Sequence, residues 1–199
     1  MPRGFSEREK EGIRDSLLDK GRAFLTTYGV KKTNVEDLTS AVGISKGAFY
    51  LFYASKEELF FEVLGRFEDE YHAELLEVAV QSGVSPRRQV QDFLKRAFSV
   101  WRTNPLFTHF GQEEYEHLVR KLPEEKVRAN LHKDRIFVGR LLDQWRDHGV
   151  VVDCSPEMFL GLMRALFFLS LHEQDLGEDM SPAVIDFFID VISQRIVRE

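Results

Sequence analysis

Cysteine occurs once in this chain, as Cys154, which excludes an intramolecular disulfide and any zinc site built on cysteines and fits a reducing compartment. No apolar run approaches the roughly 20 residues that a membrane span requires, so no membrane partner is expected. The opening stretch MPRGFSEREKEGIR is charged and has no apolar signal region, so the chain is expected to stay in the cytoplasm. Strand-like alternation, internal repeats and low-complexity tracts are also missing. There is no phosphate-binding glycine loop and no nucleophile set beside a histidine. Acidic pairs such as Glu113-Glu114 and Glu124-Glu125 read as solvated helix surface rather than as catalytic acids. No enzymatic activity and no cofactor are expected.

What the chain has in quantity is apolar residues, 43% of 199 with 17 Phe, recurring at helical spacing from end to end. The expected fold is all-α, with about nine helices. The first runs from about Ser6 to Tyr28 and stops at Gly29. In TNVEDLTSAVG, either Thr33 with Glu36 or Asn34 with Asp37 supplies a capping pair, and Gly43 ends a helix of two turns. Ser45 then caps another short helix reaching about Tyr53, and a long helix follows from Lys56 towards Gln81. Gly83 and Pro86 mark a joint. Helices are expected over about 87–103, 123–148, 156–173 and 182–197, with an irregular or short-helical part from Asn104-Pro105 to Leu122.

The formal charge of −6 argues against a polyanionic partner until its distribution is considered. Residues 1–56 carry ten Lys/Arg against seven Asp/Glu, and the remainder 17 against 26. A basic head on an acidic body is the asymmetry expected of a local polyanion contact.

Two short helices joined by a tight turn at Gly43 and braced by a longer one make a helix-turn-helix pattern. Ala41 and Val42 are expected to pack inward on Phe49. The second helix, opening ISKGAFY, is then the one that enters a DNA major groove with its N-terminal residues towards the base edges. That placement gives Gly47 a purpose: without a Cβ the backbone approaches the duplex, offsetting a helix-propensity loss of about 1 kcal/mol relative to Ala. Lys46 is suited to guanine or phosphate, Tyr50 to a phosphate through its hydroxyl, and Lys56 to the DNA backbone. Thr33, with the first amides of its helix, is placed for a phosphate on the other side.

The stretch TNVEDLTSAVGISKGAFYLFYASKEELF resembles the DNA-binding signature of the tetracycline-repressor (TetR) family of bacterial transcription regulators. The match covers nearly every defined position from Thr33 to Leu59. The rest of the chain matches only in length and helical layout. The resemblance implies that Ser45, Lys46, Gly47, Ala48, Tyr50 and Lys56 contact DNA. Phe52 departs from the family pattern, standing where His or Tyr is usual, and removes the phosphate contact of that position unless the hydroxyl of Tyr53 replaces it.

Residues 1–55 are accordingly expected to form the DNA-binding domain and 56–199 a regulatory domain. In the last helix Ile185, Phe188, Ile189, Ile192 and Ile196 form one apolar stripe and Val184, Phe187 and Val191 a second, so the helix needs two partners. With FLGLMRALFFLSL (159–171), it is expected to pair with a second copy in a four-helix bundle, Phe159, Leu166, Val184, Phe187, Phe188 and Val191 lying at the homodimer interface. The alternative is a core buried within one subunit.

The resemblance also implies a small effector bound in the body. Phe98, Trp101, Phe107, Phe110, Leu141, Trp145, Met163 and Phe167 are the expected lining, with Arg164, His109 or Tyr115 supplying polarity, so the effector is expected to be largely apolar or aromatic. In HFGQEEYEH, His109, Glu113 and His117 have i, i+4 spacing compatible with zinc, but Pro105 and Gly111 interrupt the helix, and an ordinary polar surface is the reading adopted. The chain is thus expected to be a dimeric, ligand-responsive regulator, a repressor bound to a palindromic double-stranded DNA operator. The alternative is a helical effector- or metal-binding protein or enzyme that keeps a vestigial helix-turn-helix.

Overall fold

The computed structural model describes residues 5–107, 112–172 and 181–198. Among them are nine α-helices: α1 (Glu7–Lys32), α2 (Val35–Val42), α3 (Lys46–Phe49), α4 (Lys56–Val78), α5 (Pro86–Thr103), α6 (Gln112–Lys121), α7 (Glu124–Asp147), α8 (Pro156–Leu171) and α9 (Ser181–Ile196). A 3-10 turn at Pro105–Phe107 precedes α6. No described helix is long and apolar enough to cross a membrane. The chain divides into two compact units, Met1–Phe67 with Pro105–Leu122, here called the head, and Glu68–Asn104 with Pro123–Glu199, the body. Compactness therefore groups residues differently from the expected 55/56 boundary.

The head starts with a complete capping box. Ser6 Oγ accepts from the Glu9 amide, and the Glu9 carboxylate accepts from the Ser6 amide at 2.7 Å, which satisfies two of the free donors at the start of α1. Leu17, Leu18, Gly21 and Leu25 recur at helical spacing and form its buried face. The expected stop at Gly29 is a kink rather than an end. Gly29 takes φ 76°, a conformation that side chains with a Cβ rarely adopt, and one more helical turn follows to Lys32. Of the two possible capping pairs the second forms, with Asn34 Oδ1 accepting from the Asp37 amide at 2.8 Å. At the other end of α2, Gly43 is left-handed (φ 79°) and its amide donates to the Thr39 carbonyl at 2.9 Å, an αL cap.

Helix α3 is shorter than expected. It spans four residues, after which the amides of Phe52 and Tyr53 both donate to the Phe49 carbonyl, at 2.9 and 3.1 Å. Phe49 is fully buried and meets the rings of Tyr50 and Tyr53 at 5.5 and 5.9 Å between centroids. In α2 the buried residues are Leu38 and Thr39, whereas Ala41 is exposed. Two aromatic-rich turns thus hold α3 from behind and leave its N-terminal turn outward.

The body is built on α5, α7, α8 and α9 with the end of α4. Ser85 and Ser155 cap α5 and α8, each followed by proline at the first helical position, where the missing N–H costs nothing. Trp145 is the largest fully buried side chain. It meets Phe93 and Phe159 edge-on, at 5.1 and 5.5 Å, and its indole N–H donates to the Ala79 carbonyl at 2.8 Å, so its one polar atom is satisfied inside the core. An isolated antiparallel bridge, Val152 with Val197, ties the α7–α8 connection to the end of α9.

Two packing details of the head give stability predictions. A Cβ at Gly21 would lie 3.2 Å from Val63 Cγ2 and 3.3 Å from Leu59 Cγ, so α1 and α4 touch through a position with no side chain. Gly21→Leu is expected to destabilise the protein by about 1–3 kcal/mol through overpacking, measured by urea unfolding. The Tyr53 hydroxyl is buried without a hydrogen-bond partner of good geometry, beside the Arg14–Glu62 ion pair. Burial, then the charge of Glu62, pushes its pKa up from 10.0 to about 12. A raised folded-state pKa means that this residue's contribution to stability is complete below pH about 10 and is lost as pH rises through about 12. Tyr53→Phe is expected to leave stability at neutral pH unchanged or higher, since it removes an unpaired buried hydroxyl. It should also flatten the fall in stability above pH about 10, which unfolding curves at a series of alkaline pH values will measure.

Candidate nucleic-acid interface

The surface of the helix-turn-helix follows from its caps. Ser45 Oγ accepts from the Ala48 amide at 3.1 Å, fixing the first turn of α3, and Ser45, Lys46, Gly47 and Tyr50 are exposed. Tyr50 is 50% exposed although its ring edge rests on Phe49, so one side of the ring is anchored and the hydroxyl end is free to meet a partner. Gly47 lies inside a helix, has no positive φ, and a Cβ built on it would meet only Ser45 Oγ, at 3.9 Å. Neither backbone conformation nor internal packing requires glycine there. This is the opposite of Gly21, where the reason for glycine is internal.

Four of the expected DNA-contacting side chains are occupied inside the head. Thr33 is buried and its hydroxyl donates to the Gly29 carbonyl at 2.8 Å, because the kink leaves that carbonyl without a helical amide. Ala48 lies on the buried face of α3. Tyr53 is 4% exposed, so its hydroxyl does not replace the phosphate contact missing at Phe52; Phe52 itself packs near Phe5, 6.4 Å between centroids. The Lys56 ammonium donates to the carbonyls of Val30 and Thr33, at 2.7 and 2.5 Å, closing the C-terminal end of α1 where a cation is favoured by unpaired carbonyls. Lys46 remains at the surface and pairs with Glu36 in the first turn of α2. Each raises or lowers the other's pKa in the direction that keeps both charged.

The sequence reading missed the part played by α6. The Glu114 carboxylate accepts from the amides of Val30 and Lys31, at 3.0 and 3.3 Å, Glu113 pairs with the Lys31 ammonium at 2.8 Å, and His117 faces Glu57 at 3.5 Å. Of Glu113-Glu114, expected to be solvated surface, Glu113 is exposed and Glu114 half-buried; both have partners more than 80 residues away, a separation that periodicity does not reveal. The same contacts separate Glu113 from His117, which point to different partners, and His109 lies outside the described residues.

In the body, Phe98, Leu141, Trp145 and Met163 are buried core, and Trp101 meets Phe167 edge-on at 4.8 Å. Arg164 pairs with Asp134 at 2.7 Å. Tyr115 belongs to the head segment with α6, and Phe110 and the side chain of Phe107 lie outside the described residues. Of the residues expected at a dimer interface, Phe159 and Leu166 are instead buried within one subunit, Phe159 against Trp145. Val184 is half-buried, while Phe187, Phe188 and Val191 are exposed, Phe187 to 67%.

Residues 17–63 match the family model of the bacterial regulatory proteins of the tetR family. The chain is 29% identical over 110 residues to the HTH-type transcriptional repressor KstR2 of Rhodococcus jostii, covering 55% of this chain and 53% of that protein. It is 32% identical over 85 residues to the repressor of the same name from Mycobacterium tuberculosis, covering 43% and 42%. The chain thus spans about half the length, or less, of these curated relatives. Among solved structures, a TetR-family transcriptional regulator from Pectobacterium atrosepticum superposes with a TM-score of 0.70 at 18% identity, over 96% of this chain and 95% of that one, a likeness of fold. Residues 17–63 thus resemble the tetR family of bacterial regulatory proteins, and the chain as a whole shares the all-α fold of a solved structure so described.

Proposed function

We propose that this protein is a cytoplasmic, ligand-responsive transcriptional regulator that binds a palindromic DNA operator as a homodimer, and that it acts as a repressor. The observation that carries the reading is Gly47: an exposed glycine in the first turn of α3 that nothing inside the protein requires. A partner whose surface must come within backbone distance supplies the missing reason, and the groove edge of a DNA base pair is such a surface. The exposed Lys46 and Tyr50 flank it. On DNA the Lys46 ammonium exchanges Glu36 for a guanine edge or a phosphate, and Tyr50 donates to a phosphate. The name of repressor given to the curated relatives supports the sign of regulation.

Residues 1–55 are assigned the DNA-reading role and 56–199 the regulatory one. For dimerisation the support is an exposed apolar face: Phe187, Phe188 and Val191 on α9, with Met158 and Phe168 on α8. A monomer would leave these large side chains in water, whereas a two-fold pairing of α8 and α9 buries them. Such a dimer presents two α3 helices about 34–36 Å apart, one DNA turn. Trp101 and Phe167 with their apolar neighbours support an aromatic or apolar effector, bound in the body.

Gel shift on the DNA upstream of the chain's own gene tests the reading head. Gly47→Leu is expected to abolish sequence-specific binding while circular dichroism and oligomeric state stay unchanged, and Lys46→Ala with Tyr50→Ala is expected to weaken it at least about tenfold, as loss of base-edge and phosphate contacts predicts. Binding by the double variant at wild-type strength would reject the assignment. For the interface, Phe187→Glu is expected to convert a dimer into a monomer in light scattering, because the substitution buries an unpaired charge on association.

A further inference from the structure

Three metal-ligating side chains converge in the body, none of them among the residues assigned to DNA. Glu68 and His72 stand one helical turn apart on α4, Asp134 comes from α7, and their ligand atoms all lie within 4.8 Å of one another. We propose that Glu68, His72 and Asp134 form a binding site for one divalent transition-metal ion of the zinc type, with water completing its coordination.

The geometry is that of a prepared site. The i, i+4 spacing aims Glu68 and His72 from the same helix face, and each ligand is held by a neighbour that would remain in place around a metal. The Asn130 amide donates to Glu68 Oε2, and Arg164 donates to Asp134 Oδ2 at 2.7 Å. The His72 ring lies flat on Phe137, 3.9 Å between centroids and 5° between planes. Hydrogen-bonding outer partners of this kind fix the orientation of metal-binding carboxylates, and stacking on Phe137 holds the plane of the imidazole.

Charge points the same way. Two carboxylates face one guanidinium, and the nearby Lys133 ammonium is engaged by Asp69 at 2.8 Å. Glu68 and Asp134 are brought close enough for their carboxylates to repel one another. A dication relieves the repulsion that burial has made costly. One imidazole nitrogen with two carboxylate oxygens matches zinc and its first-row neighbours rather than calcium or magnesium, which take oxygen ligands.

The site does not depend on the DNA-reading assignment and is tested without DNA. Full-length protein, freed of metal with a chelator, is titrated with zinc chloride by calorimetry and with cobalt(II) by visible absorption. The expected result is one zinc ion per chain, cobalt bands showing nitrogen and oxygen coordination, and affinity reduced at least about tenfold in Glu68→Gln and in Asp134→Asn, both isosteric. His117→Gln, which alters the other histidine facing a carboxylate, is expected to bind as wild type. Should the two carboxylate variants fail to fold, imidazole resonances of the wild-type protein decide the matter, with His72 expected to shift on adding zinc. No saturable binding, unchanged affinity in both carboxylate variants, or shifts confined to other histidines would overturn the proposal.

Discussion

What α3 can present depends on how the chain leaves α1 at Gly29. A left-handed residue inside a helix interrupts the ladder and leaves amides and carbonyls of the last turn without helical partners. Three side chains take them up, one from four residues on and two from much farther along the chain. The Thr33 hydroxyl serves the Gly29 carbonyl, the Lys56 ammonium the carbonyls of Val30 and Thr33, and the Glu114 carboxylate the amides of Val30 and Lys31. Every one of these groups is polar and would cost free energy if left unpaired. Together they hold the end of α1 from which the chain enters α2.

That arrangement changes the meaning of residues read as DNA contacts. Thr33 and Lys56 sit close to the recognition helix in sequence, and each has a donor suited to phosphate, yet both donors serve the kink. On the proposed function, their effect on DNA binding runs through the position of α3. Lys46, Gly47 and Tyr50 are different, because their outward faces have no comparable internal employment beyond the exposed pairing of Lys46 with Glu36, which solvent screens. The head thus contains a supporting layer of buried polar contacts and a small outward layer of three residues.

In the body the same division between buried and outward groups separates core from surface. Phe159 and Leu166 carry the hydrophobicity expected of an interface, but they lie on the side of α8 that meets the Trp145 cluster. Phe187, Phe188 and Val191 face outward on α9. A helix apolar almost all round, such as 159–171, gives little periodic signal of which side faces inward, so only packing against α5 and α7 separates the two sets.

The sequence by itself determined the helices, the left-handed turn at Gly43, the cap at Ser45 and the family signature from Thr33 to Leu59, because caps, turns and helical periodicity are local and act within a few residues. It also singled out Gly47, whose lack of any internal reason becomes visible only once its surroundings are known. Tertiary structure decided the rest. It joined α6 to the head through Glu113 and Glu114, buried Tyr53 and Thr33, and brought Asp134 to Glu68 and His72. Apart from the Thr33 hydroxyl, which bonds four residues back to Gly29, those outcomes rest on contacts between residues tens of positions apart, and a charged or aromatic side chain reads the same in sequence whether its partner is water, a carbonyl or another helix.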